Sequence, residues 1–179
     1  MGDITKAHVW ETGKVFIAPL GSTIPTDVTA AWDAAWDDCG LLDGENGTVE
    51  SRESEKKDFP AWGAGIVLSK QSKHKRTMKF WAFEDNDTTF ALVNPGSTRT
   101  VATGITTSSM KVPTYEEFMV GTETNDGSIT ERTIYKRCSL EEVGDLVKSE
   151  SGMSVREITV AIYADASNIY GPVISGASA

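Results

Sequence analysis

Alternation of apolar and polar positions marks most of this 179-residue chain as β-structure. The strongest stretch is Gly65–Glu84, which reads as two strands joined by a basic, polar turn around Lys70, Lys73, His74, Lys75 and Arg76. Ile66 and Leu68 oppose Val67, Ser69 and Gln71 in the first strand. In the second, Met78, Phe80 and Ala82 oppose Thr77, Lys79, Trp81 and Phe83. The chain is apolar on both sides at Phe80–Phe83, so something covers the second face, another subunit being one candidate. An earlier strand carries Val15 and Ile17 on one face and Lys14, Phe16 and Ala18 on the other, before Pro19 and Gly21 end it. Tyr115–Thr124 and Ile129–Cys138 form a further hairpin around the turn Asn125-Asp126-Gly127-Ser128, with Phe118 and Val120 inward. In Val155–Ala164, Ile158, Val160 and Ile162 share a core face.

Helical spacing occurs twice. Trp32, Trp36 and Cys39 form one stripe of a helix over Thr29–Cys39, capped by Thr29 or Asp27 and ended by Gly40, with Asp33, Asp37 and Asp38 outside. Asp85-Asn86-Asp87 caps a second helix that stops before Pro95; the glycine and distal glutamate of a calcium loop are missing there. Ser139-Leu140-Glu141-Glu142 fits a capping box, but Gly144 interrupts it, so Leu140–Lys148 is open between helix and strand. Ser97–Ser109 reads as a surface connection and Ile169–Ala179 as a mobile tail.

Leu41–Trp62 is charge-rich and has little apolar content beyond Val49. Glu50, Arg52, Glu53, Glu55, Lys56 and Lys57 therefore belong to a long arm, mobile in the monomer, that orders on a neighbour through Phe59, Pro60 and Trp62; a solvated loop is the alternative. The pattern predicts a mainly β domain of six to eight strands, a β-sandwich or part-barrel, with one or two short helices. Its boundaries are an N-terminal segment at 1–13, the domain at 14–165 with the arm at 50–62, and a tail at 166–179.

Composition narrows the function more than it defines it. A net charge of −9 opposes tight, sequence-independent nucleic-acid binding. No apolar run has the ~18 residues needed to cross a bilayer, and the first residues do not resemble a leader, so a soluble protein without membrane contact is expected. Cys39 and Cys138 lack metal-site spacing, and Cys39 reads as a buried, inert thiol. No nucleotide-binding, hydrolase or zinc-protease motif occurs, and the two histidines, His8 and His74, have no catalytic setting. The residues point to no enzyme, cofactor or metal. Trp32, Trp36 and Trp62 leave open a carbohydrate-binding platform, with core packing the competing role for the first two.

The order of features resembles one family. Trp36-Asp37-Asp38-Cys39-Gly40-Leu41-Leu42 leads to Gly47-Thr48-Val49-Glu50, then to the arm ending in Phe59-Pro60-Ala61-Trp62, then to the long hairpin. The chain closes on Glu142-Val143-Gly144-Asp145 and Arg156–Asp165. Together these resemble the major tail (tail tube) proteins of long-tailed, non-contractile bacteriophages. The resemblance implies a structural subunit of the virion tail, assembled in the host cytoplasm, whose hexameric rings stack into a tube around a β-barrel lumen. Tape-measure and tail-terminator proteins would be its partners, and double-stranded DNA would pass through without specific binding. It implies that Leu140–Lys148 is strand and that the lumen is lined by Gly65–Glu84 and by segments around Ile129–Cys138 and Val155–Ala164, with acidic walls. Inter-subunit contacts fall to Glu50, Arg52, Glu53, Glu55, Lys56, Lys57, Phe59, Trp62, Lys73, Arg76 and Trp81. The core falls to Trp32, Trp36, Cys39, Phe80, Ile158, Val160 and Ile162. A baseplate or tail-completion protein of related fold is the neighbouring alternative.

Overall fold

The computed structural model describes residues 6–178; the leader reading on residues 1–5 and the last residue of the tail lie outside them. Ten strands and one helix follow in order: β1 (Thr12–Pro19), β2 (Asp37–Asp38), β3 (Thr48–Ala61), β4 (Gly65–Ala82), α1 (Asp87–Val93), β5 (Thr98–Ala102), β6 (Ile105–Ser109), β7 (Glu117–Asn125), β8 (Ile129–Val143), β9 (Arg156–Ile162) and β10 (Val173–Ala177). One antiparallel sheet runs β2-β1-β7-β8-β9-β4-β3, with β10 on the first half of β8 and β9 on its second half. Residues 37–43 join the two flanks of this sheet at one end. Asp37 and Asp38 pair with β1, and Leu42 bridges to Ala82 of β4. The sheet is thus a part-barrel, sealed at one corner.

Period-two alternation builds the core. Val15, Val120, Met78, Phe80, Ile158, Val160 and Ile162 meet inside the part-barrel, with Cys39 and Cys138 among them. Burial pushes both thiols above the ordinary range, that of Cys138 to about 12, and both are free. Leu92 of α1 closes one end, the helix being capped by Asn86, whose side chain accepts from the Thr89 amide at 2.9 Å. The opposite face of β1, β7 and β8 buries Phe16, Met119 and Ile134 beneath Trp32 and Trp36.

Four local readings are corrected. Thr29–Cys39 is not a helix but a loop that runs into β2, because Asp27 and Asp33 spend their carboxylates on local turns. Asp27 accepts from the amides of Thr29 and Ala30 at 2.8 and 2.7 Å, and Asp33 from that of Ala35 at 3.0 Å. The tryptophans therefore pack on the sheet while Cys39 enters the other core. Gly121 admits them: a Cβ there would sit 2.6 Å from Trp32.

Gly65–Ala82 is one strand, not two. The basic stretch taken for a turn is a bulge at Lys73, whose φ is 54°, and the reversal occurs at Ala61–Ala64, where Gly63 supplies φ of 74°. Ser97–Ser109 is a hairpin, β5–β6, anchored by Arg99 to Asp85 at 2.8 Å. Residues 173–177 of the supposed mobile tail form β10, held along β8 from Thr133 to Ile129.

Candidate assembly surfaces

The mobile arm expected at Glu50–Phe59 is strand β3, paired to β4 along its whole length. Only Arg76–Ala82 of β4 has β9 on its other side, so residues 53–75 project past the sheet as a two-stranded ribbon about 30 Å long. Every residue of its two strands is exposed or half-exposed. Phe59 and Leu68 face each other on one side, with Lys57 over the Phe59 ring, and Pro60 faces Ile66 on the other. Ile66, Val67 and Leu68 are 61%, 61% and 59% exposed, and Trp62 stands fully in solvent on the turn. An isolated two-stranded ribbon is marginal in water, and an apolar tip on one marks a contact surface. Lys56, Lys57, Lys70, Lys73 and Lys75 against Glu53, Glu55 and Asp58 make the ribbon basic, leaving −11 on the rest of a −9 chain.

Its root is locked to the body through Glu50. The Tyr135 hydroxyl donates to Oε2 at 2.5 Å, Arg52 donates to Oε1 at 2.5 Å, and Arg76 lies 3.4 Å from Oε1. The Arg76 guanidinium in turn sits 4.3 Å above the Tyr170 ring. Burial raises the Glu50 pKa, but the Tyr135 and Arg52 hydrogen bonds and the Arg76 charge outweigh it, and the carboxyl titrates below its usual range. A depressed native pKa stabilises the fold above the ordinary glutamate range and loses that contribution as pH falls through it. The urea midpoints of wild type and Glu50→Gln should accordingly differ at pH 7 and converge toward pH 3. A gap that holds constant across that range would remove the carboxylate from this account.

A four-stranded unit, β3-β4-β9-β8, carries the open margins. The side of β3 facing away from β4 has no strand partner among the described residues. Pairing of β7 with β8 stops at Glu117 and Ser139, so Leu140–Val143 is open on that side as well. Because the unit has four antiparallel strands, its two open edges run in opposite directions. The face away from the core carries Ser51, Thr77, Lys79, Trp81, Glu157 and Thr159, with Lys79 bonded to Glu157 and Lys75 to Glu141. Trp81 donates to Glu157 at 3.2 Å. Acid and base are paired here, so the uniformly acidic wall expected from the sequence is not what this face offers.

The sequence matches the family described as phage tail tube protein over residues 5–174. The chain belongs to that family. As a tail tube protein it is a structural subunit of the tail of a phage or phage-like particle, not a catalyst. Its fold is similar to a chain in the sheath–tube complex of an extracellular contractile injection system, PVC, in the extended state, with a TM-score of 0.53 at 9% identity over 98% of this chain and 95% of that one. A chain of the anti-feeding prophage cap, the tube-terminating cap, aligns with a TM-score of 0.48 at 6% identity over 99% and 97%. A chain of the native gene transfer agent virion aligns with a TM-score of 0.41 at 13% identity over 83% and 92%. No curated protein matches the sequence.

Within this tail tube protein the predicted contact residues divide into three groups. Glu50, Arg52 and Arg76 gather at the ribbon root; Glu53, Glu55, Lys56, Lys57, Phe59, Trp62 and Lys73 lie along the ribbon; Trp81 lies apart, on the polar sheet face. Lys73 reaches Glu55 at 2.6 Å across the ribbon. Trp32 and Trp36 are packed on Phe16, and Trp62 is at the ribbon tip, so no platform of three indoles exists. Sequence reasoning missed Arg132, which is 5% exposed and ties the tryptophan loop down, and it missed Tyr135 and Tyr170. The one available signal for Arg132 is a cation placed among alternating strand residues. Among the described residues no three His, Cys, Asp or Glu side chains are grouped to hold a metal.

Proposed function

We propose that the protein forms hexameric rings that stack into the tube through which genomic DNA leaves the particle. One observation carries the ring: the four-stranded unit β3-β4-β9-β8 has two open edges that run antiparallel. Rotation about a tube axis preserves strand direction, so β3 of one copy meets Leu140–Val143 of the next with the sheet's alternation intact. Such a head-to-tail contact closes into a ring when the rotation closes, and closure removes both edges. The polar face, with Lys79 bonded to Glu157, then lines the lumen. Paired charges there offer phosphates no uncompensated cation to hold them, which suits passage without binding.

In this reading the ribbon reaches along the axis, residues 14–165 act as the tube domain, and a tape-measure protein and a tail terminator set and end the length. Assembly occurs in the host cytoplasm. The resemblance read in the sequence favours a non-contractile tail; the fold alone is common to a contractile system. Negative-stain images of the concentrated protein test the proposal. Hollow tubes whose end-on averages have six-fold symmetry are expected. A baseplate or completion protein would give rings that never elongate, and protein that stays monomeric across concentration would sink the reading.

A further inference from the structure

We infer that residues 163–177 are a strap that sets the direction of the ribbon, with the Tyr170 ring as its hold on Arg76. The device is internal to one molecule and does not depend on the tube reading. The ribbon leaves the body at one level: Arg76, opposite Ile162, is the outermost residue of β4 paired with β9. Past that level the ribbon has no strand partner in the body among the described residues. Lys75 still reaches Glu141 there, but that pair is largely exposed and holds weakly. At the exit itself Arg52 and Arg76 are directly opposed across β3 and β4, an arrangement that repels. Glu50 Oε1, 2.5 Å from Arg52 and 3.4 Å from Arg76, serves both. Arg52 is otherwise in water. Arg76 is half-buried, and its second partner is the face of Tyr170, 4.3 Å away at the edge of the core. An aromatic face holds a cation most strongly where water is partly excluded.

Tyr170 is itself fixed from both sides. Before it, Asp165 accepts from the amides of Ser167 and Ile169 at 2.8 and 2.9 Å, closing a turn in which Asn168 has φ of 60°. The Tyr170 and Pro172 carbonyls then accept from the amides of Lys136 and Ile134 of β8, both at 3.0 Å. Gly171 lets the chain press in between: a Cβ there would stand 1.8 Å from the Ile134 carbonyl oxygen. Strand β10 continues the attachment along β8. The ring therefore cannot follow Arg76 when the ribbon swings, and a swing breaks the contact. Conversely, an event that lifts residues 163–177 from β8 frees the ribbon without touching either of its strands. The C-terminal segment is thus a control point for a surface that lies elsewhere in the fold.

Spin labels at Val67→Cys on the ribbon and Thr12→Cys on β1 test the strap, since both positions are exposed and the native Cys39 and Cys138 are buried. Doubly labelled protein diluted into unlabelled protein gives the distance distribution within one molecule by pulsed electron spin resonance. The distribution should be narrow in the parent and in Tyr170→Phe, which keeps the ring. It should broaden in Tyr170→Leu, which keeps an apolar contact with the core but offers no aromatic face. Amide exchange at residues 50–53 should rise about tenfold in Tyr170→Leu, while residues 119–122 keep their protection. A narrow distribution in Tyr170→Leu overturns the inference, because packing alone then holds the ribbon. A broad one in Tyr170→Phe overturns it as well, because the ring face is then not the hold. Equal loss of protection at residues 119–122 would show a loosened body rather than a released ribbon, and would overturn it too.

Discussion

Excising residues 54–74 and rejoining Glu53 to Lys75 through Asn-Gly will leave the fold intact and abolish tube growth. Glu53 and Lys75 are directly paired, and a two-residue Asn-Gly link is the turn whose twist fits a hairpin. No buried side chain lies in the excised segment, and no strand of the body pairs with it. The melting temperature should therefore move by no more than about 3 °C, the range expected for surface changes of around half a kcal/mol with margin for the new turn. Tube mass, measured by sedimentation and negative stain, should drop below detection, because in the proposed tube the ribbon supplies the axial contact. Tubes of ordinary length from the balanced excision would show that the ribbon has no part in stacking.

Arg132→Leu should be the most damaging single change in the body of the protein. Its guanidinium donates to Glu123 at 2.7 Å from both Nε and Nη2, and to the carbonyls of Asp27 and Ala30 at 2.8 and 2.7 Å. It also lies 5.0 Å from the Trp32 ring centroid, and Trp32 Nε1 donates to the same Glu123 at 2.9 Å. Removing one partner of such a pair leaves two carbonyls without their donor and a part-buried carboxylate with Trp32 but no cation, a loss of about 3–5 kcal/mol. Urea unfolding should show that loss, with a fall in melting temperature on the order of 10 °C. Arg132→Lys should recover only part of it, since an ammonium cannot bridge Glu123 and both carbonyls at once. A loss below about 1 kcal/mol for Arg132→Leu would mean that Trp32 and Trp36 hold the loop by packing alone.

The ribbon was legible in the sequence, though in altered form. The segment Glu50–Trp62 is charged and lacks an apolar face, which marks a stretch unable to join its own core, and that is where the ribbon lies. The pairing of the segment was not legible. A strand exposed on both sides has no reason to alternate, so Lys70–Arg76 looked like a turn although the strand continues through it with a bulge at Lys73.

What the sequence determined by itself is the set of faces and local stops. Val15 with Ile17, Met78 with Phe80 and Ala82, and Ile158 with Val160 and Ile162 follow from period-two burial. The Asn125–Ser128 turn and the Asn86 cap follow from side chains that bond their own backbone. Tertiary structure decided the rest. The tryptophan loop gave up a helical stripe because Gly121 and Arg132, about ninety to a hundred residues away along the chain, offered the indoles a better place. Residues 173–177 became strand only because the first half of β8 was open to them. In each case the deciding partner is distant in sequence, and local preferences worth a few tenths to about one kcal/mol per residue yield to a packed core.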